Sequence, residues 1–70
     1  MTNVTAHITG TVWKVEVKEG DLVIEGQTCA IIESMKMEMP VEAPSNGTVD
    51  KICCKEGEAV AEGDVLLTLK

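Results

Sequence analysis

The tetrad Ser34-Met35-Lys36-Met37 sets one lysine between two methionines. A solvated lysine amine is almost wholly protonated at neutral pH, with about one in 2,500 molecules free to act as a nucleophile. Such a group is either a surface charge or an amine that a partner must deprotonate before it can react. The other residues with chemical potential lack comparable spacing. Three cysteines give neither a disulfide framework nor a paired metal motif. Cys29 and Cys54 read as small buried apolar residues, Cys53 as their outward neighbour. His7 is the single histidine, so a redox or metal role for Cys53-Cys54 lacks a completing ligand set. The twelve carboxylates form no pair at a defined separation and read as a solvated acidic surface, not as general acid/base groups.

What singles out Lys36 is an internal repeat. Displacing the sequence by 37 positions lays Gly10–Gly26 over Gly47–Gly63 with ten of 17 positions identical. Glu33 then falls on Lys70 and Met1 on Glu38, giving halves of about 1–33 and 38–70 with a junction at 34–37 that belongs to neither. A junction between two equal halves belongs at an end of the molecule, where a side chain can leave the body of the fold.

The elements that must position it are strands. Trp13, Val15 and Val17 alternate with Lys14, Glu16 and Lys18, the period of a half-buried strand; Val15 and its repeat partner Ile52 are expected as core, while Trp13, whose repeat partner is Asp50, is expected half-exposed at the rim. Turn signals follow at Lys18-Glu19-Gly20-Asp21 and Glu25-Gly26-Gln27, and recur in the second half at Lys55-Glu56-Gly57-Glu58 and Glu62-Gly63-Asp64. Each half is read as an opening strand near Thr5–Ile8, a strand at Val12–Val17, a very short strand around Val23 and a strand at Cys29–Glu33. No segment has helical spacing with start and stop signals. The expectation is an all-β domain spanning 1–70, with about eight strands in two small antiparallel sheets packed face to face and related by a pseudo-two-fold axis. His7 is expected on the first strand, partly exposed.

At 70 residues the chain can bury only about 60% of its unfolded surface, so its core is thin and aliphatic and leaves no room for a deep pocket. A formal charge of −6 argues against nucleic acid, which needs lysine and arginine to displace counterions from phosphates. No apolar run approaches a membrane span, and the N-terminus lacks the charged and apolar segments of a signal peptide; the expected location is the cytoplasm, with no membrane insertion.

The 34–37 connection has no glycine, proline or asparagine, although a two-residue hairpin places both central residues at positive φ. A broken local rule points weakly to a functional site. Against it stands an unbroken strand in which Met35, Met37, Met39 and Val41 face the core and Lys36 is a solvated charge; the repeat boundary favours the exposed turn.

The segment Glu33-Ser34-Met35-Lys36-Met37-Glu38 closely resembles the attachment motif of biotinyl domains, within the biotin/lipoyl attachment family. Gly20-Asp21-Leu22-Val23-Ile24-Glu25-Gly26 and Ala43-Pro44-Ser45-Asn46-Gly47-Thr48-Val49 extend the resemblance over essentially the whole chain. It implies a flattened barrel of two four-stranded antiparallel sheets, with the attachment lysine on an exposed hairpin turn opposite both termini. It makes Lys36 the residue acylated by biotin, Met35 and Met37 the flanks that mark the site, and Glu33 and Ser34 recognition or turn-supporting positions. The chain departs from the family at Ala6-His7-Ile8-Thr9-Gly10, where His7 stands in place of a common proline.

The resemblance further implies a biotin carboxyl carrier with no catalytic constellation of its own. A biotin protein ligase would acylate Lys36, after which the ring is carboxylated at a biotin carboxylase site and, as carboxybiotin, gives up CO2 at a carboxyltransferase site of a carboxylase or decarboxylase. Two alternatives stand beside it. Lipoyl domains share the fold and modify a lysine at the same turn, usually after an acidic residue where this chain has Met35. An unmodified assembly module would keep the barrel and use Lys36 only as a charge. The chain is compatible with a stand-alone carrier and with a domain of a longer protein.

Overall fold

If each half supplies four strands, backbone hydrogen bonding decides how the halves share them. The computed structural model describes residues 2–70, in which there are eight strands and no helix: β1 (Thr2–Thr5), β2 (Gly10–Val15), β3 (Leu22–Val23), β4 (Thr28–Ser34), β5 (Met37–Glu42), β6 (Gly47–Ile52), β7 (Ala59–Val60) and β8 (Val65–Leu69). They form two four-stranded sheets, ordered β1-β8-β6-β3 and β5-β4-β2-β7. All neighbours are antiparallel. Each sheet draws two strands from each half, so neither half completes a sheet without the other.

Adding 37 to a residue number turns the contacts of one half into those of the other. Val12 N–H donates to the Glu58 carbonyl and Val49 N–H to the Asp21 carbonyl, both at 2.8 Å. Gly26 N–H donates to the Ala43 carbonyl at 2.9 Å and Gly63 N–H to the Ala6 carbonyl at 2.8 Å. The glycines of the repeated turns, Gly20 and Gly57, have φ of 92° and 89°, a region costly for any residue with a Cβ.

Between the sheets lies an aliphatic core in which Val12, Ile32, Val49, Leu66, Leu67 and Leu69 are fully buried, with Cys29 and Cys54 among them. Burial of each large aliphatic side chain is worth about 1.5–3 kcal/mol. Cys53 is exposed. Burial pushes the Cys29 and Cys54 thiols above their ordinary pKa, and for Cys54 the nearby Glu58 and Cys53 add to the rise.

Several carboxylates have a structural task beyond solvating the surface. Asp21 accepts from Lys18 N–H at 2.9 Å, and its counterpart Glu58 accepts from Lys55 N–H at 3.1 Å. Glu56 accepts from Val15 N–H, Glu19 from Ile52 N–H and Asp64 from Ala61 N–H. Backbone donors that the short strands leave unpaired thus find acceptors in the turns.

Four expectations need correction. The opening strand is Thr2–Thr5, not Thr5–Ile8. After Thr5 the chain crosses from one sheet to the other: Ala6 N–H donates to the Asp64 carbonyl at 2.8 Å, and residues 7–9 form a bend. His7 is therefore an exposed bend residue and not a strand residue. The second strand runs Gly10–Val15, and its register with β4 shifts between Val12 and Lys14. This bulge takes Trp13 off the Val17 face and leaves it 45% exposed, with the Lys14 ammonium 5.8 Å from its ring centroid. Val15 and Ile52, expected as core, are half-buried against it.

Candidate functional site

β4 and β5 form the hairpin that ends in Lys36. Their register pairs Thr28 with Glu42, Ile32 with Met39, Glu33 with Glu38 and Ser34 with Met37, leaving Met35 and Lys36 as the connection. Both have positive φ, 53° and 64°, and they are the non-glycine residues in that region among those described. This is the backbone of a two-residue hairpin turn whose twist matches that of the strands it joins. For residues with a Cβ the left-handed region costs about 1–2 kcal/mol each, so the ladder of β4 and β5 imposes the turn against local preference.

The hairpin is anchored from behind by β2, where Thr11 pairs with Glu33 and Val12 with Ile32. At Gly10 the backbones come so close that a Cβ there would overlap the Glu33 carbonyl and lie 2.8 Å from Ile32 Cγ2. Gly10 is a site residue that the sequence reading missed; its signal was its repeat partner Gly47, which faces the Lys70 carbonyl in the same way.

At the tip the side chains point outward. Met35 is 91% and Met37 62% exposed, Lys36 and Glu33 are exposed, and Ser34 is half-buried. Met39 and Val41, further down β5, turn towards the interior. The buried-methionine strand thus holds only below the turn. The five site candidates of the sequence are consecutive on this tip, whereas His7 lies in the bend that leads into Gly10.

Exposure does not distinguish the lysines, since all six are exposed. Backbone conformation does: Lys36 is the lysine at positive φ among those described, whereas Lys14 and Lys51 lie in strands, Lys18 and Lys55 open the repeated turns, and Lys70 is held by Asp50 at 3.7 Å. The tip also lies away from Thr2 and Leu69. Thr2 pairs with Leu69 at one end of β1, and β1 then carries the chain to the bend 7–9, whose exit, Gly10, faces Glu33. Among the described residues no three His, Cys, Asp or Glu side chains are grouped to hold a metal ion.

A two-sheet scaffold that carries an exposed lysine at a left-handed hairpin turn has the architecture of a presenting domain. The chain belongs to the family described as biotin-requiring enzyme, whose sequence model matches residues 1–69. It is 52% identical over 66 residues to the biotin/lipoyl attachment protein of Bacillus subtilis (strain 168), covering 94% of this chain and 90% of that protein. It is 59% identical over 39 residues to the 2-oxoglutarate carboxylase large subunit of Hydrogenobacter thermophilus, covering 56% of this chain and 6% of that subunit. In three dimensions it matches the urea carboxylase of Kluyveromyces lactis with a TM-score of 0.91 and 38% identity, over 97% of this chain and 6% of that one.

Proposed function

We propose that Lys36 is the residue to which biotin is joined, and that the domain serves as the carboxyl carrier of a biotin-dependent carboxylase or decarboxylase. The observation that carries this reading is the placement of Lys36 at a left-handed, two-residue turn of the hairpin end, with methionines on both sides. The fit to the group is direct: acylation needs an amine that a second protein can reach from several directions, and this one projects from an exposed tip. Relatives named as carboxylases favour biotin over lipoate as the group carried.

The domain's own residues present and do not catalyse. A biotin protein ligase must remove the ammonium proton and aim the nitrogen at an activated acyl carbon, whose leaving group departs as the amide forms. The turn supplies the aim on the carrier side, because fixed φ values at Met35 and Lys36 hold the Lys36 Cα–Cβ bond in one direction. Once attached, biotin supplies carboxyl-group transfer between a biotin carboxylase and a carboxyltransferase. Tethering raises the effective concentration of the group at those partners to about the millimolar range when the linkage spans them. Met35 and Met37 offer polarizable, adaptable contact, which suits a surface read by more than one protein. A cytoplasmic location is part of this reading; among the described residues no helix is long and apolar enough to cross a membrane.

The test is intact-mass measurement followed by peptide mapping of protein made together with a biotin ligase. One biotin per chain, on Lys36, is expected, and none on Lys36→Gln, whose melting temperature stays that of the parent. Biotin on another lysine, or spread over several, overturns the assignment of the site. A Lys36→Gln protein that supports wild-type carboxylation in a carrier-deficient carboxylase overturns the carrier reading in favour of an assembly module.

A further inference from the structure

Met35 and Met37 differ chemically from the aliphatic residues that could have provided apolar contact beside Lys36: each carries a thioether. The turn holds that of Met35 almost wholly in solvent and that of Met37 largely so. Thioether oxidation follows access to the sulfur. Met39, two residues beyond Met37, is half-buried. Among the cysteines only Cys53 is exposed, at the position that follows β6 and outside the hairpin strands β4 and β5.

We propose that Met35 and Met37 form a sulfoxidation site that closes Lys36 to acylation when a hydroperoxide oxidises it, and that reduction of the sulfoxides reopens it. The proposal rests on the reading of Lys36 as the biotin-bearing residue. A sulfur lone pair attacks the distal oxygen of the peroxide, the S–O bond forms as the O–O bond breaks, and the remaining oxygen takes the proton of the transferred one and leaves as water or alcohol. Sulfur loses two electrons and the peroxide gains them. The reverse step uses two thiols, which leave as a disulfide with one water.

The consequence follows from where the methionines are buried. In the free domain both side chains face solvent, so a polar S=O alters no packing and the fold is indifferent to it. In a complex whose partner reads the tip, Met35 and Met37 must be desolvated, and the sulfoxide oxygen enters that contact without a donor prepared for it. The penalty falls on recognition and not on stability. Leucine at these positions would give apolar contact without this sensitivity.

The test treats the unmodified domain with hydrogen peroxide, quenches it with catalase, and maps sulfoxides by peptide mass spectrometry over time. The initial rate of biotin incorporation by a biotin ligase is read at each point. Sulfoxide is expected at Met35 and Met37 before Met39, with the rate falling by about tenfold at an unchanged melting temperature. Treatment with the two stereospecific methionine sulfoxide reductases and dithiothreitol should restore it. A Met35→Leu, Met37→Leu double variant should keep its rate through the same exposure. If that variant is a poor substrate from the outset, the reductase arm decides. Oxidised protein that is acylated as fast as the untreated control, or a lost rate that tracks Cys53 oxidation and survives the reductases, overturns the proposal. A control that takes up no biotin on Lys36 overturns the carrier reading instead, and the proposal with it.

Discussion

At one end of the sandwich β4 runs into β5 through Met35 and Lys36; at the other, the equivalent strands β8 and β1 pair without any such turn among the described residues. The ladder is nonetheless the same. Ile32 pairs with Met39, and 37 positions on, Leu69 pairs with Thr2. Gly10 crowds the Glu33 carbonyl as Gly47 crowds that of Lys70. The second end shows that this pairing does not depend on a good turn to establish it. The first end is therefore free to put residues into its turn that are poor for folding, and it holds two in the left-handed region.

The comparison breaks most visibly in the core, where the ends should be indistinguishable. Ile32 and Leu69 are repeat partners and both fully buried, so Ile32→Ala and Leu69→Ala should each cost about 2–5 kcal/mol. In urea unfolding their midpoints should fall together. A difference of more than about 1.5 kcal/mol between them would mean that the covalent turn does add rigidity to its end, against the equivalence drawn from the ladders.

The next test separates the ends. An alanine Cβ at position 10 would overlap the Glu33 carbonyl of a strand held on both sides by β2 and β5, whereas at position 47 it would meet the Lys70 carbonyl at 3.0 Å, in the residue just past β8. Gly10→Ala should therefore cost about 1–3 kcal/mol and Gly47→Ala less, because the chain beyond Leu69 can shift to relieve the crowding. Thermal melting compares them. Gly10→Ala should also slow acylation of Lys36, since the displaced strand carries the turn, while Gly47→Ala should leave it unchanged.

These contrasts show which parts of the molecule the sequence disclosed. Strand number, the two-sheet arrangement and the inward Cys29 and Cys54 were readable because the repeat doubled every weak signal. Where one half departs from the other, the doubling failed. Trp13 shows both sides: its repeat partner Asp50 sets it at a half-exposed rim, where it lies at 45% exposure, but alternation puts it on the Val17 face, and the register shift after Val12 removes it from that face. The first strand was placed three residues late because Val4 and Ala6 continue inward alternation into the crossing between sheets, and alternation does not reveal where a ladder stops. The carboxylate acceptors were hidden for another reason: Asp21 and Glu58 do the same work with different side-chain lengths, which appears in a sequence as an unremarked mismatch. At the tip, the repeat boundary located the connection 34–37, but the crowding at Gly10 is a contact between strands distant in sequence.

Relief of the turn gives a smaller effect of opposite sign. Met35→Gly removes a Cβ from a φ of 53°, and the gain is partly offset by the greater freedom of glycine in the unfolded chain. A net stabilisation of up to about 1 kcal/mol is expected, together with slower biotinylation because one flank is lost. If the variant is destabilised by more than about 1 kcal/mol, Met35 packs in a way that its exposure does not suggest.

The smallest effect concerns pH and again contrasts the halves. Cys54 occupies the position that Val17 holds in the first half, and burial raises its thiol pKa above the ordinary value of 9.0, as it does for Cys29. Well below pH 9 both thiols are neutral in the folded and unfolded chains and add no pH dependence. As the pH rises through that value, the unfolded chain releases protons that the folded chain still holds, so the unfolded state binds fewer protons and stability falls. The loss should continue until the folded thiols also ionise. Cys54→Val restores the residue type of the equivalent position and removes one of the two contributions, so the alkaline decline in urea midpoint should become shallower without a change near pH 7. An unchanged slope would show that Cys54 does not contribute, and that the alkaline sensitivity of the domain lies with Cys29 or with the surface charges.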